Sequence, residues 1–176
     1  MSSAAAPADP ISSVTGVLSG WGRFPRVPGT EWSSERLDHG SRGVPLTRGL
    51  GRAYGDAALP ARGDTRVAGS CRANRLLAFD ECTGVLTAEA GLTLDELIRV
   101  FLPRGFFSPV SPGTRFVTLG GMVAADVHGK NHHDAGTMVS AENRRTISVK
   151  PGFVKTSMRS WSRRPLPARR SRCPKT

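Results

Sequence analysis

The feature that most constrains this chain is a glycine-rich stretch that runs from Pro112 to His133. Four glycines stand among small and apolar residues, together with a carboxylate, a lysine, an asparagine and three imidazoles: Gly113, Gly120, Gly121, Gly129, Asp126, Lys130, Asn131, His128, His132 and His133. Glycine lets a ligand approach the backbone closely, and the polar side chains supply hydrogen-bond donors and acceptors. The stretch therefore predicts a loop that faces a ligand.

Another glycine-rich loop lies upstream, from Thr47 to Asp56, and it carries two arginines. Because it comes earlier in the chain, it is called the first loop, and the stretch from Pro112 to His133 is the second. Backbone N–H groups and guanidinium groups in such a loop suit a phosphate. The spacing Gly-x-Gly-x-x-x-Gly is neither the dinucleotide fingerprint GxGxxG nor a Walker A loop. Spacing alone therefore leaves two interpretations open, a phosphate cradle and an ordinary glycine turn.

The two loops together resemble the flavin-binding half of the vanillyl-alcohol-oxidase superfamily of FAD-linked oxidases, and within it the decaprenylphosphoryl-ribose oxidase group. The segments 18–23 and 79–91 also resemble that group, which uses them as an opening motif and as a strand-turn-strand unit. The resemblance implies an α+β fold, namely the N-terminal portion of a PCMH-type FAD-binding domain over residues 18–137. It ends near Thr137.

The resemblance also implies which residues hold FAD. Backbone N–H groups of the first loop would bind the two phosphates, and Arg48 or Arg52 would neutralise their charge. The cofactor-binding positions that match the family are Arg48, Gly49, Leu50, Gly51, Arg52, Ala53, Tyr54, Gly55, Asp56, Gly113, Thr118, Leu119, Gly120, Gly121, Ala125, Asp126, Val127 and His128. Many relatives carry a histidine bonded covalently to the flavin where this chain has Arg52. We therefore expect non-covalent FAD.

Asp126 and His128 match positions that line the flavin in the family, and His128 would face the substrate as a candidate catalytic residue. An imidazole there can orient or polarise a sugar hydroxyl. Two other interpretations remain open: Asp126 as the cap of a turn, and a metal site formed by His128, His132 and His133. The spacing H-x3-H-H is not a recognised zinc signature, and the three cysteines are distant in sequence, so no metal is expected.

Local patterns predict two further elements between the loops. An apolar run that starts at Arg75, a turn, and a segment that alternates apolar with polar or small residues up to Ala90 predict a β-hairpin. Thr93 and Glu96 form a capping box that begins a helix from Thr93 to Leu102, with its apolar residues on one face for core packing. By contrast, residues 1–17 indicate a disordered lead-in, and prolines and glycines in residues 24–46 indicate no regular element. An internal deletion or a scrambled reading frame would explain that interval.

The net charge of +11 is concentrated at one end of the chain. Residues 1–137 hold 14 Lys and Arg against 13 Asp and Glu, whereas residues 138–176 hold 11 against one, which leaves a net charge of +1 and +10 respectively. The second segment lacks apolar periodicity, so we expect a disordered basic tail, produced by a frameshift or a truncated gene copy. The alternative is a basic arm that binds RNA, DNA or anionic lipid.

Two functions follow as expectations. The resemblance implies an FAD-dependent oxidoreductase that converts a CH–OH group of a sugar, an alditol or a polyprenyl-phosphate pentose into a carbonyl. Family members carry the catalytic base in a cap domain that has no counterpart in this sequence, so the alternative is an inactive remnant whose tail binds polyanions. The sequence contains no leader pattern and no run of roughly 20 apolar residues. We therefore expect a cytoplasmic protein, and peripheral membrane association remains open because the family acts on lipid-linked sugars.

Overall fold

The computed structural model describes residues 10–61, 64–139, 148–150, 153–157 and 159–160. These residues form two four-stranded sheets, one two-stranded pair and four short α-helices, so the predicted mixture of helices and strands is confirmed. The N-terminal sheet carries the first glycine loop. The second sheet packs on the helices that follow it and contributes to the apolar core.

The N-terminal sheet has the strand order β1-β2-β4-β3. Its strands are β1 Ser12–Ser19, β2 Arg26–Ser33, β3 Thr47–Arg48 and β4 Arg66–Gly69. β1 is antiparallel to β2, whereas β2 and β3 each run parallel to β4. Glu31 of β2 pairs with Val67, and Arg48 of β3 pairs with Gly69 on the other side of β4. Because side chains on a strand alternate between faces, Glu31 and Arg48 lie on the same face of the sheet.

Two predictions for the N-terminal region do not hold. Residues 12–17, expected to be disordered, belong to β1, and residues 24–46 contain β2 and the helix α1 Leu37–Gly40. The side chains of β1 are mostly exposed, so the strand lacks the alternating burial that a sequence pattern reports. Backbone pairing with β2, from Ser12 opposite Ser33 to Ser19 opposite Arg26, is what orders it.

The predicted hairpin and helix are both confirmed. β5 Leu76–Asp80 and β6 Val85–Glu89 form an antiparallel hairpin, and α2 Leu94–Phe101 follows with both hydrogen bonds of its capping box in place. A 3-10 turn, Leu102–Arg104, ends the helix before the short strand β7 Phe106–Phe107. The core that these elements share consists of Leu86, Ala88, Leu92, Leu94, Leu97, Phe101, Val110, Leu119, Met122 and Met138.

The second glycine stretch, Pro112 to His133, contains a helix and is not an open loop throughout. Thr118 caps α3 Leu119–Ala124 by accepting a hydrogen bond from the Gly121 N–H group at 3.1 Å. The Leu119 and Gly120 N–H groups donate to the carbonyls of Leu92 and Ala90, both at 2.8 Å. These bonds fasten the start of α3 beside the start of α2. A further short helix, α4 His132–Ala135, follows.

Three strands lie in the interval that the sequence predicts to be disordered: β8 Ser148–Lys150, β9 Phe153–Ser157 and β10 Arg159–Ser160. β9 pairs antiparallel with β6, β8 pairs with β9, and β10 pairs with β7. The expectation of disorder does not hold for these strands, because they extend sheets that already exist and need no core of their own. Residues 140–147 and 161–176 of the predicted tail lie outside the described residues.

Candidate functional site

The two glycine-rich segments meet in one cleft. The first loop, which follows β3, forms one wall, and α3 with its flanking residues forms the other. The cleft has a volume of about 250 Å³ and is lined by Thr47, Arg48, Gly49, Leu50, Gly51, Arg52, Ala53, Ala57, Ala58, Val117, Thr118, Gly121, Ala124, Ala125 and Val127. Most of these residues are small or apolar, which suits a ligand with a flat apolar part and a few polar groups.

The walls touch where the backbone of Gly49 packs against the side chain of Thr118. A Cβ atom at this position would overlap the hydroxyl of Thr118, so the approach requires glycine. Thr118 is buried, and its hydroxyl already accepts the N–H group of Gly121. The first loop and α3 are therefore held in contact at the point where both predicted motifs contribute a residue.

Carbonyl groups in and just after the first loop accept hydrogen bonds from other residues of the chain. The carbonyl of Leu50 accepts from the Arg52 guanidinium at 2.9 Å, that of Ala53 from the Trp21 N–H group at 2.9 Å, and that of Ala58 from Arg48 at 3.0 Å. Trp21 follows Gly20, whose missing side chain leaves room for the Ala53 carbonyl. These carbonyls therefore have hydrogen-bond partners within the chain itself.

The N–H groups of the same loop have no such partners. Within the described part of the chain, no N–H group from Gly49 to Asp56 donates a hydrogen bond to a backbone or side-chain acceptor. Gly51 and Gly55 have positive φ values of 67° and 59°, which alternate the direction of the peptide groups. Successive unpaired N–H groups of this kind form a concave site for an anion. The loop therefore has the donor set that a pyrophosphate group requires.

The two arginines of the loop have different environments. Arg48 is nearly buried: its guanidinium donates to the carbonyls of Ala58 and Ser19 at 3.0 and 3.2 Å, and its Nε lies 3.4 Å from the carboxylate of Glu31. Arg52 is exposed, lies 5.6 Å from the centre of the Trp21 ring and borders the cleft. Of the two, Arg52 is the one whose charge is not already paired with a carboxylate.

Glu31 is partly buried, and Arg48 is the one cationic group within ion-pair distance of it among the described residues. Burial raises the pKa of the Glu31 carboxyl, and the attraction of Arg48 lowers it by less, so the pKa lies above its ordinary value of 4.5. The ion pair at 3.4 Å is thus too long to offset the loss of hydration fully. Glu31 was not singled out in the sequence, because strand β4 separates it from Arg48 and no motif marks the pairing.

The structure brings many, but not all, of the predicted cofactor residues to the cleft. Ten of them line it: Arg48, Gly49, Leu50, Gly51, Arg52, Ala53, Thr118, Gly121, Ala125 and Val127. The others stand outside its lining: Tyr54, Gly55, Asp56, Gly113, Leu119, Gly120, Asp126 and His128. Leu119 belongs to the core, and the N–H groups of Leu119 and Gly120 are engaged by carbonyls. Five further residues line the cleft although they are not among the predicted cofactor-binding positions: Thr47, Ala57, Ala58, Val117 and Ala124. Their position within or next to the two glycine-rich segments was the available signal.

Asp126 and His128 lie just beyond α3. Asp126 has a φ of 42°, and its carboxylate accepts the N–H group of Val139 at 2.7 Å, which ties the end of α3 to a residue 13 positions further along the chain. His128 is exposed, and its ring centre lies 5.1 Å from that of His132. Among the described residues, no group of three or more His, Cys, Asp or Glu side chains is placed to hold a metal ion.

The comparison with protein families decides what kind of domain this is. A family model described as an FAD binding domain matches residues 40–150, which include both walls of the cleft. The chain belongs to this family. FAD is therefore the cofactor of the domain, and the unpaired N–H groups of the first loop fit its pyrophosphate.

The chain is similar to parts of several larger proteins, two of which are named as oxidases. Decaprenylphosphoryl-beta-D-ribose oxidase from Mycolicibacterium smegmatis is 41% identical over 131 residues, which is 68% of this chain and 28% of that protein. Among solved structures, an alkyldihydroxyacetonephosphate synthase aligns with a TM-score of 0.61 over 76% of this chain and 32% of its own. Cholesterol oxidase from Brevibacterium sterolicum aligns with a TM-score of 0.57 over 72% and 27%. Both structures are 14% identical to the chain and show the fold alone.

The chain thus spans less than a third of the length of these relatives. The PCMH-type fold implied by the two glycine-rich motifs is confirmed for this part. Within the described residues, none of the helices has the length and hydrophobicity needed to span a membrane.

Proposed function

We propose that the chain is the FAD-binding part of an oxidoreductase that holds FAD without a covalent bond and acts on a CH–OH group. The observation that carries this proposal is the loop from Gly49 to Asp56: the carbonyls of Leu50, Ala53 and Asp56 accept hydrogen bonds within the protein, whereas its N–H groups donate to no acceptor among the described residues. A loop with this polarity suits a pyrophosphate.

Each part of the cleft has a role in this proposal. The loop N–H groups bind the phosphates, and Arg52 supplies a positive charge beside them. The apolar wall formed by Val117, Ala124 and Val127 excludes water from the flat ring system. Arg52 occupies the position at which many relatives carry the covalently bonded histidine, which supports non-covalent binding.

The substrate class is inferred from the relative whose name specifies a decaprenylphosphoryl ribose. We propose a polyprenyl-phosphate pentose or a related sugar or alditol, at a membrane surface or in the cytoplasm. When bound, FAD supplies the acceptor for the hydride that leaves the alcohol carbon. His128 would hydrogen-bond the substrate hydroxyl as it loses its proton; its side chain is exposed, and it follows the cleft residue Val127.

Titration of the purified chain with FAD, followed by desalting and a visible spectrum, tests the proposal. We expect a retained flavin band that is released on denaturation. Arg52→Gln should weaken FAD binding roughly tenfold and reduce its dependence on salt, because one phosphate-facing charge is lost. Arg42→Gln removes an equally exposed charge outside the cleft lining and should change affinity by less than about twofold.

A chain that retains no FAD would contradict the proposal and favour the polyanion-binding alternative, in which binding is salt-sensitive and depends on residues 138–176. The role of His128 needs a separate measurement. In the FAD-loaded chain, His128→Ala should slow bleaching of the flavin by a polyprenyl-phosphate pentose and leave FAD affinity unchanged. His39→Ala, in α1, is the control.

A further inference from the structure

The guanidinium of Arg48 connects three separate parts of the backbone. Arg48 lies near the start of the first loop, Thr47 to Asp56, which is called the FAD loop from here on. Its side chain donates to the carbonyl of Ala58, just after that loop, and to the carbonyl of Ser19 at the end of β1. Gly51 lies directly against it, since a Cβ atom there would overlap the guanidinium nitrogen Nη2. Arg48 therefore closes the loop from within, and these contacts fix the direction of its peptide groups.

Glu31 is the anionic partner that holds this arginine. In the described part of the chain, no other carboxylate lies within 4.0 Å of the Arg48 side chain, which is 10% exposed. Gly69 of β4 separates the two residues without a side chain, and a Cβ atom at that position would overlap the Glu31 carboxylate. The Nε of Arg48 is buried and has no hydrogen-bond partner, so its charge is stabilised through the Glu31 ion pair alone on that side.

The charge of Glu31 is unexpected beside an anion site. A carboxylate near bound phosphates repels them, and this repulsion is stronger where water is partly excluded. Its presence is explained if Glu31 acts on the loop through Arg48 and not on the ligand directly.

We propose that Glu31 is a positioning residue for FAD binding: it orients Arg48, which braces the pyrophosphate loop and does not itself bind phosphate. This inference rests on the proposed function, because it assigns the loop to FAD. It gives the two arginines different roles, with Arg48 shaping the loop and Arg52 facing the ligand.

The sign of one substitution separates positioning from a direct effect of charge. Glu31→Gln removes a negative charge near the ligand, so a direct effect would tighten FAD binding. Loss of the brace would weaken it instead. We expect FAD affinity, measured by flavin fluorescence, to fall roughly tenfold or more, because hydrogen bonds made by a charged group depend on its orientation. Glu35→Gln, which neutralises an exposed carboxylate just beyond the same strand, should change affinity by less than about twofold.

Riboflavin binding distinguishes a local change in the FAD loop from a general loss of structure, which would weaken the binding of both ligands. It carries no phosphate, so Glu31→Gln should change riboflavin binding by less than about twofold while FAD binding falls. Glu31→Asp keeps the charge but withdraws it by one methylene, and we expect it to weaken FAD binding as well. If Glu31→Gln fails to fold, as circular dichroism would show, the Asp variant decides.

The outcomes separate this inference from the function on which it rests. A wild-type chain that binds no FAD overturns both. A wild type that binds FAD, with Glu31→Gln binding equally or more tightly, or with an Asp variant like the wild type, overturns the positioning role alone. Equal losses for FAD and riboflavin would also overturn it, because they would place the effect outside the pyrophosphate loop.

Discussion

Gly51 and Gly43 offer a matched pair of substitutions that isolates the contact between the FAD loop and Arg48. Their φ values are 67° and 66°, so alanine costs each backbone about the same strain, roughly 1–2 kcal/mol. At Gly43 an added Cβ would meet nothing within 4 Å. At Gly51 it would overlap Arg48 Nη2, and the guanidinium must leave its position. The difference between the two variants therefore reports the Arg48 brace.

The expected size of that difference follows from the bonds that would be lost. Displacement of Nη2 breaks its hydrogen bond to the Ser19 carbonyl, now 3.2 Å long, and a bond from a charged donor contributes about 1.5–3 kcal/mol. We expect Gly51→Ala to lower the free energy of unfolding by about that much more than Gly43→Ala. In a domain of this size the melting temperatures should differ by roughly 3–12 °C.

Urea denaturation followed by circular dichroism measures the two free energies, and FAD titration measures the functional effect. Gly51→Ala should weaken FAD binding about tenfold, because the loop N–H groups turn away from their common centre. Gly43→Ala should leave affinity unchanged, since Gly43 lies outside the cleft lining. Equal stability and equal affinity in the two variants would refute the view that Arg48 shapes the loop.

Three further predictions concern stability and pH. Thr93→Ala should lower the free energy of unfolding by about 1 kcal/mol in urea denaturation, because α2 loses its N-cap, and Thr93→Ser should recover most of it. Leu97→Ala should cost about 2–5 kcal/mol by the same measurement, since Leu97 is buried in the core beneath α2. Burial raises the pKa of Glu31 above 4.5, so its contribution to stability is present below that pH and is lost as pH rises through the folded-state pKa. FAD affinity should rise over the same pH interval, as Glu31 ionises and pairs with Arg48. The nearby Cys71 thiol does not contribute, because burial raises its pKa and it stays neutral there. Glu31→Gln should abolish the pH dependence of stability and that of FAD affinity.

Local chemistry explains which elements could be predicted from the sequence. The helix α2 is marked by a capping box and an apolar face, and the hairpin before it by alternation around a turn, so both signals lie within a few residues of each other. Strand β1 has no comparable signal, because its side chains are largely exposed and its order depends on pairing with β2. The glycines of the second stretch predict a ligand-facing loop, because glycine lets a ligand approach the backbone. In the structure Gly120 lies in the first turn of a helix and packs tightly against Ala90, whose Cβ atom would lie 3.0 Å from a Cβ atom added at Gly120.

At the site, too, the sequence predicts what depends on neighbouring residues and misses what depends on contacts between distant ones. The motif around Gly49 identifies the cleft wall, since a glycine spacing is local information. The role of Arg48 is different, because the residues that engage it come from β1, β2 and the far end of its own loop. From the sequence motif, an arginine beside glycines is predicted to bind the phosphate. In the structure, the strand order β2-β4-β3 brings Arg48 next to Glu31 instead, and the two form an ion pair. If the two arginines do have these separate roles, reversing the charge of the pair, with Glu31→Arg and Arg48→Glu combined, should not restore FAD binding. A carboxylate at position 48 accepts hydrogen bonds and cannot donate to the carbonyls of Ser19 and Ala58.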